Sequence, residues 1–140
     1  MVETTDVKLL QFTEFGDERG RLVVVEGSAD IPFDIKRVFY IYGSDREVVR
    51  GRHANRRSEF VLINVVGTSR IRVIDRFGND MIISLSQPHT GVYLPAMVWK
   101  EMYDFSDDSV LLVLSSEHYD PDEYIRDFEE FRRICENGQA

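Results

Sequence analysis

The chain has a single cysteine, Cys135, in 140 residues. One thiol cannot close an internal disulfide, which fits a reducing cytoplasm. Cys135 falls in a helical pattern with no base beside it, so it is a poor nucleophile candidate. Long hydrophobic runs are also missing. None reaches the ~20 residues that span a bilayer, and the opening MVETTDVK lacks the apolar core of a signal peptide. No membrane partner is expected. Positive charge is short, with 17 Lys and Arg against 25 Asp and Glu, a formal net charge of −8. Nonspecific nucleic-acid binding needs a basic face and is disfavoured. A small ligand carrying phosphate stays open, because a few local arginines override net charge. Repeats, linkers and low-complexity segments are absent.

What is present is enough for one core. Apolar residues make up 43% of the chain, and its length suits one domain over residues 1–140. Short runs rich in Val, Ile, Phe and Tyr recur about every ten residues, separated by turn residues. Strands are predicted at 9–12, 21–26, 36–42, 47–53, 60–66, 69–75, 81–85, 91–95, 98–105 and 110–116. RFGND (76–80) reads as a hairpin turn, and Gly67 turns the preceding pair. Strands at this spacing without intervening helices indicate an antiparallel sandwich or barrel.

The C-terminus changes period. Asp120 reads as an N-cap, Pro121 as the first helical residue, and Asp122 and Glu123 as first-turn acids. Tyr124, Ile125, Phe128, Phe131 and Cys135 form one stripe. The pattern predicts a helix over 121–135, packed on the outside of the barrel or on a partner chain.

RGRHANRRSEF (50–60) resembles half of a cupin metal site. Cupins, jelly-roll β-barrels, supply His-x-His, then Glu, then a later His to a metal. Alternation sends residues 53 and 55 to one face of a strand. His53 and Glu59 match, but Asn55 and Lys100 stand where the other two ligands belong. Asn is a poor ligand for a transition metal, and an ammonium repels a cation. The expectation is an all-β cupin barrel with a short C-terminal helix, no metal and no other cofactor. His53 then suits acid–base work. Arg50, Arg52, Arg56 and Arg57 make a local anion site around it, although Arg56 and Arg57 read as a solvated edge and Arg50 and Arg52 cannot both face the barrel. If Lys100 points inward, Trp99 points out, toward a subunit contact. His89 and His118 read as loop residues.

IKRVFYIYG, RGRHAN, GVYLPAMVWKEMYDFSDDSVLLVLSSEHYD and EYIRDFEEF together resemble one group of cupins, the WxcM-like sugar-nucleotide ketoisomerases of the FdtA type. The likeness runs from about Asp17 to Phe131. It implies a homodimer that exchanges N-terminal strands. It implies a dTDP-linked 4-keto-6-deoxyhexose as substrate, and metal-free conversion to the 3-keto sugar in deoxyaminosugar and surface-polysaccharide synthesis. The family's second histidine is Asn55 here, and its Trp-His pair is Trp99–Lys100. His53, Lys100 and Glu59 become the catalytic candidates. Asn55, Arg19, Arg37, Tyr40, Arg50 and Tyr93 become the substrate-binding ones. The competing readings are a silent cupin that binds a sugar nucleotide, an epimerase-like cupin without metal, and a metal-dependent cupin.

Overall fold

Twelve strands and one helix are arranged in the computed structural model, which describes residues 5–138. They are β1 (Lys8–Gln11), β2 (Glu14–Asp17), β3 (Gly20–Val23), β4 (Arg37–Tyr42), β5 (Arg50–Asn55) and β6 (Phe60–Val66). There follow β7 (Ser69–Ile74), β8 (Asp80–Leu85), β9 (Thr90–Leu94), β10 (Trp99–Tyr103), β11 (Val110–Ser115), β12 (Tyr124–Ile125) and α1 (Phe128–Gly138). Two five-stranded sheets have the orders β1-β9-β6-β11-β4 and β12-β5-β10-β7-β8. All strand pairings are antiparallel. This is the expected antiparallel barrel, and the turns at Gly67 and Gly78 take the positive φ that glycine permits, 71° and 90°.

Alternation builds the core. Phe60 and Leu62 on β6, Val92 and Leu94 on β9, and Leu111 and Val113 on β11 point between the sheets. They meet Ile71, Val73, Leu85 and Met102 from the facing sheet. The intervening Val61, Ile63 and Leu114 are also buried, because Ile31 and Phe33 of the segment after β3 cover the outer face. The central strands β6, β9 and β11 therefore read as nearly continuous apolar runs, as strands covered on both sides do.

β2 and β3 pair only with each other. Their hairpin shows Phe15 and Leu22, opposite one another and each 56% exposed.

The expected helix over 121–135 is corrected. Asp120 does act as a cap, but its carboxylate closes a short 3-10 turn at Pro121–Glu123. Tyr124 and Ile125 then pair with Asn55 and Ala54. Pairing to β5 holds the chain extended here, and a helix cannot share those backbone groups. The helix starts three residues later, with the Asp127 carboxylate accepting from the amide of Glu130. Its apolar stripe covers Trp99, whose ring lies 5.3 Å from Phe128 and 6.0 Å from Phe131. Trp99 is buried, so the chain's own helix, not a subunit contact, takes its outward face. Among the described residues no helix is long and apolar enough to cross a membrane.

Candidate active site

A cavity of about 320 Å³ opens between the sheets. That is the low end for ligand pockets and holds a sugar ring, not a whole nucleotide sugar. Its floor is the apolar core at Phe60, Leu62, Met102 and Val113. His53 and Lys100 line its wall. Tyr40, Arg50, Tyr124 and Arg126 stand around it, and Tyr40 and Arg50 are exposed. The chemistry thus divides into an apolar floor, two proton-carrying groups, and polar or cationic groups that a phosphate can reach from solvent.

The two proton carriers are neighbours by strand register. His53 on β5 is opposite Lys100 on β10, and directly paired residues share a face. The ladder then slips, and Gly51 faces Glu101. This bulge needs left-handed backbone at Gly51 (φ 88°) and Arg52 (φ 56°). It turns Arg52 out to solvent and leaves Arg50, Gly51 and His53 on the cavity. A Cβ on Gly51 would come within 2.9 Å of the Lys100 carbonyl oxygen, so the strands approach closely only because residue 51 has no side chain.

Lys100 is 4% exposed. Its ammonium donates to Asn55 Oδ1 at 3.1 Å and sits 4.6 Å over the Phe60 ring. Burial pushes its pKa down from 10.5 to about 7, against the opposing pull of the Glu123 carboxylate. His53 is pushed down to about 4, first by burial and then by the Lys100 charge. Backbone hydrogen bonding at Gly51 and the Glu123 charge oppose this, while Arg126 adds to it. The imidazole is therefore neutral at physiological pH. Its buried Nδ1 has no protein partner among the described residues. The Tyr124 ring packs against it, centroids 4.7 Å apart.

Other expected site residues fall elsewhere. Asn55 is buried behind Lys100 and orients it; it does not line the cavity. Glu59 and Tyr93 do not line the cavity. They bond to each other, the phenol donating to Glu59 Oε1 at 2.5 Å, and Tyr93 packs near Phe33 on the outer face of the sheet. Alternation is the reason: Phe60, Leu94 and Val92 point in, so their neighbours Glu59 and Tyr93 point out. Burial and the Glu59 hydrogen bond raise the Tyr93 pKa. Arg19 lies on the β2–β3 hairpin, bound to Asp17 at 2.5 Å, and lines none of this cavity. Arg37 lies beside it, its guanidinium over Phe39 (5.1 Å) and Tyr119 (5.5 Å). Arg56 and Arg57 are exposed and pair with Glu130 and Asp120.

Two contributors were not visible in the sequence. Tyr124 and Arg126 read as helix residues, but as part of a strand segment they border the cavity. Glu123 reads in the sequence as a first-turn acid, but it is fully buried. Among the described residues no cluster of three or more His, Cys, Asp or Glu side chains could hold a metal. A buried ammonium in the wall suits a developing anion better than a cation.

Comparison with known proteins shows the family. Residues 5–136 match the family model FdtA, described as WxcM-like, C-terminal. The chain belongs to the FdtA, WxcM-like family. Over 126 residues, 90% of each chain, it is 40% identical to the TDP-4-oxo-6-deoxy-α-D-glucose-3,4-oxoisomerase of Aneurinibacillus thermoaerophilus. Its fold matches a histidine-to-asparagine variant of the 3,4-ketoisomerase QdtA from Thermoanaerobacterium thermosaccharolyticum in complex with TDP-4-keto-6-deoxyglucose. The TM-score is 0.92 at 38% identity, covering 96% of this chain and 97% of that one. It also matches WlaRA, a TDP-fucose-3,4-ketoisomerase from Campylobacter jejuni, with TM-score 0.89 and 37% identity over 95% and 98% of the chains.

Proposed function

We propose that this FdtA-family chain is a 3,4-ketoisomerase acting on a nucleotide-linked 4-keto-6-deoxyhexose, with TDP as the nucleotide of its relatives. The observation that carries the reading is the register pair His53–Lys100 on the wall of a sugar-sized cavity. One of the two is neutral near pH 7 and the other is poised to give up its proton. In our reading one proton sits on the pair, on Lys100. Neutral His53 takes the proton from C3 while Lys100 donates to the C4 oxygen, giving a neutral enediol. Lys100, now an amine, takes the proton from the C3 hydroxyl, and the His53 imidazolium returns its proton to C4. The C4=O bond is lost, C3=O forms, and both side chains end as they began. The net charge of the pair stays at one throughout, so two cations never share the buried wall. Arg50 and Arg126 at the mouth are placed for the diphosphate, and Tyr40 and Tyr124 for the sugar or base.

The test is incubation with TDP-4-keto-6-deoxyglucose in D₂O, followed by NMR. The expected outcome is a 3-keto product, with protium at C4 where His53 passes its proton on directly and deuterium there where the imidazolium first exchanges with solvent. Binding without a 3-keto product would support a silent cupin instead. The rate profile follows from the two titrations. Activity needs His53 neutral, above about pH 4, and Lys100 protonated, below about pH 7. A bell with its maximum between these limbs is expected in kcat/KM, and the limbs belong to the coupled pair.

We infer further that the enzyme is a homodimer in which the N-terminal hairpin serves a second copy. Support comes from the lone β2–β3 pairing, the exposed Phe15 and Leu22, and the position of Arg19 off its own cavity. Sedimentation is expected to give twice the chain mass. A mixture of Arg19→Ala and His53→Asn chains is expected to recover activity that neither shows alone. No recovery would place Arg19 outside the reaction or within its own subunit's site.

A further inference from the structure

We propose that Glu123 is the positioning residue of this site, a buried carboxylate that fastens the end of β5 and holds a fixed negative charge toward His53 and Lys100. The inference rests on the proton-exchange reading above for its meaning in catalysis. The geometry stands apart from it. Glu123 is wholly buried. Its Oε1 accepts from the amides of Arg57 (2.8 Å) and Ser58 (2.7 Å), and its Oε2 accepts from the Ser58 hydroxyl. Its own carbonyl accepts from the Arg56 amide at 2.9 Å. The next two residues pair with Asn55 and Ala54. One residue thereby fixes the turn after β5, the strand that brings Tyr124 onto His53, and the backbone of Asn55, which holds Lys100.

Fastening alone does not call for a charge. A glutamine has nearly the same shape, its carbonyl can take the two amides, and the Ser58 hydroxyl can rotate to accept from its NH₂. A buried carboxylate costs more to desolvate than a buried amide. Here three donors keep it ionised: burial raises its pKa, but the Ser58 hydroxyl and the two amides outweigh that and hold it below its ordinary value. The groups facing the proton pair are Tyr40 and Arg50 on the barrel strands, Tyr124 on β12 and Arg126 just after it. Behind them, Glu123 brings the negative charge. It favours the protonated form of both Lys100 and His53.

The test reads Lys100 directly and needs no substrate. The chain has lysine at positions 8, 36 and 100, so ¹³C-lysine labelling gives a simple spectrum for titration. In E123Q the Lys100 midpoint is expected to fall by about one pH unit. The upper limb of kcat/KM should follow it. Ser58→Ala removes one hydrogen bond and keeps the charge. It is expected to lower the melting midpoint and leave the Lys100 titration in place. A folded E123Q protein with the wild-type Lys100 midpoint would overturn the proposal. So would a Ser58→Ala protein whose Lys100 midpoint moves as far as that of E123Q, since the role would then be packing. If E123Q alone does not fold, the same change is made in a Lys100→Met background and read at His53. Its midpoint must fall there, and an unmoved His53 overturns the idea equally. Because these midpoints are measured without turnover, a chain that shows the shift but does not isomerise sinks the functional reading and spares this one.

Discussion

His53→Asn is expected to slow turnover by about 10³-fold while changing the affinity for the nucleotide sugar little. The imidazole carries both proton transfers at carbon in the proposed scheme, and an amide cannot take a proton at neutral pH. In the proposed reading the ligand is held by other groups, Arg50 and Arg126 at the mouth and the apolar floor, all of which line the cavity. His53 is half-buried, its buried Nδ1 has no protein partner, and Asn is smaller, so the fold should be kept. Single-turnover kinetics and a binding titration on the same preparation separate the two effects. Wild-type kcat in this variant would remove His53 from the mechanism. Loss of binding with an unchanged rate per bound substrate would make it a sugar contact.

The barrel was legible because most strands keep a strict alternation or a continuous apolar run between turn residues. The ten predicted strands find their counterparts in β1 and in β3 to β11. β2 was missed because Glu14–Asp17 is short, polar and wholly exposed, with nothing for a core pattern to register. β12 was missed because two residues carry no period at all. That miss hid the most important buried acid. Once Tyr124 and Ile125 were read as helix, Glu123 fell into its first turn. Only the long-range pairing of Tyr124 with Asn55 turns it inward. Glu59 and Tyr93 lie off the cavity for the opposite reason. The strand parity of FVLINVV and GVYLP already sends them outward, and for Glu59 only its place in a family pattern points the other way. Lys100 was read correctly as inward-facing; its bond to Asn55 was not, since two strands had to be brought into register first.

Lys100→Met is expected to abolish isomerisation and to make the protein more stable, an outcome that distinguishes a working buried lysine from a packing one. The folded pKa of about 7 against 10.5 for the free side chain corresponds to roughly 5 kcal/mol of folding free energy withheld at neutral pH and below. The sign follows from proton counting. Between about pH 7 and 10.5 the unfolded lysine holds a proton that the folded one has released, so stability from this group rises with pH across that window. Methionine fills a similar volume over Phe60 without a charge to desolvate. It leaves Asn55 Oδ1 without its donor and Nδ2 still unpaired, at a cost of about 1–3 kcal/mol. The balance favours the variant by about 2–4 kcal/mol. Thermal or urea unfolding from pH 6 to 9.5 should therefore show a higher midpoint for Lys100→Met at pH 6, with the gap closing as pH rises. Turnover should drop by about 10³-fold or more, because no group remains to protonate the C4 oxygen or to stabilise the enediolate. A gap between Lys100→Met and the wild type that stays equal at pH 6 and 9 would mean that Lys100 keeps its proton in the folded chain throughout. It would then act as a permanent cation beside the developing oxyanion and could not take the proton from the C3 hydroxyl.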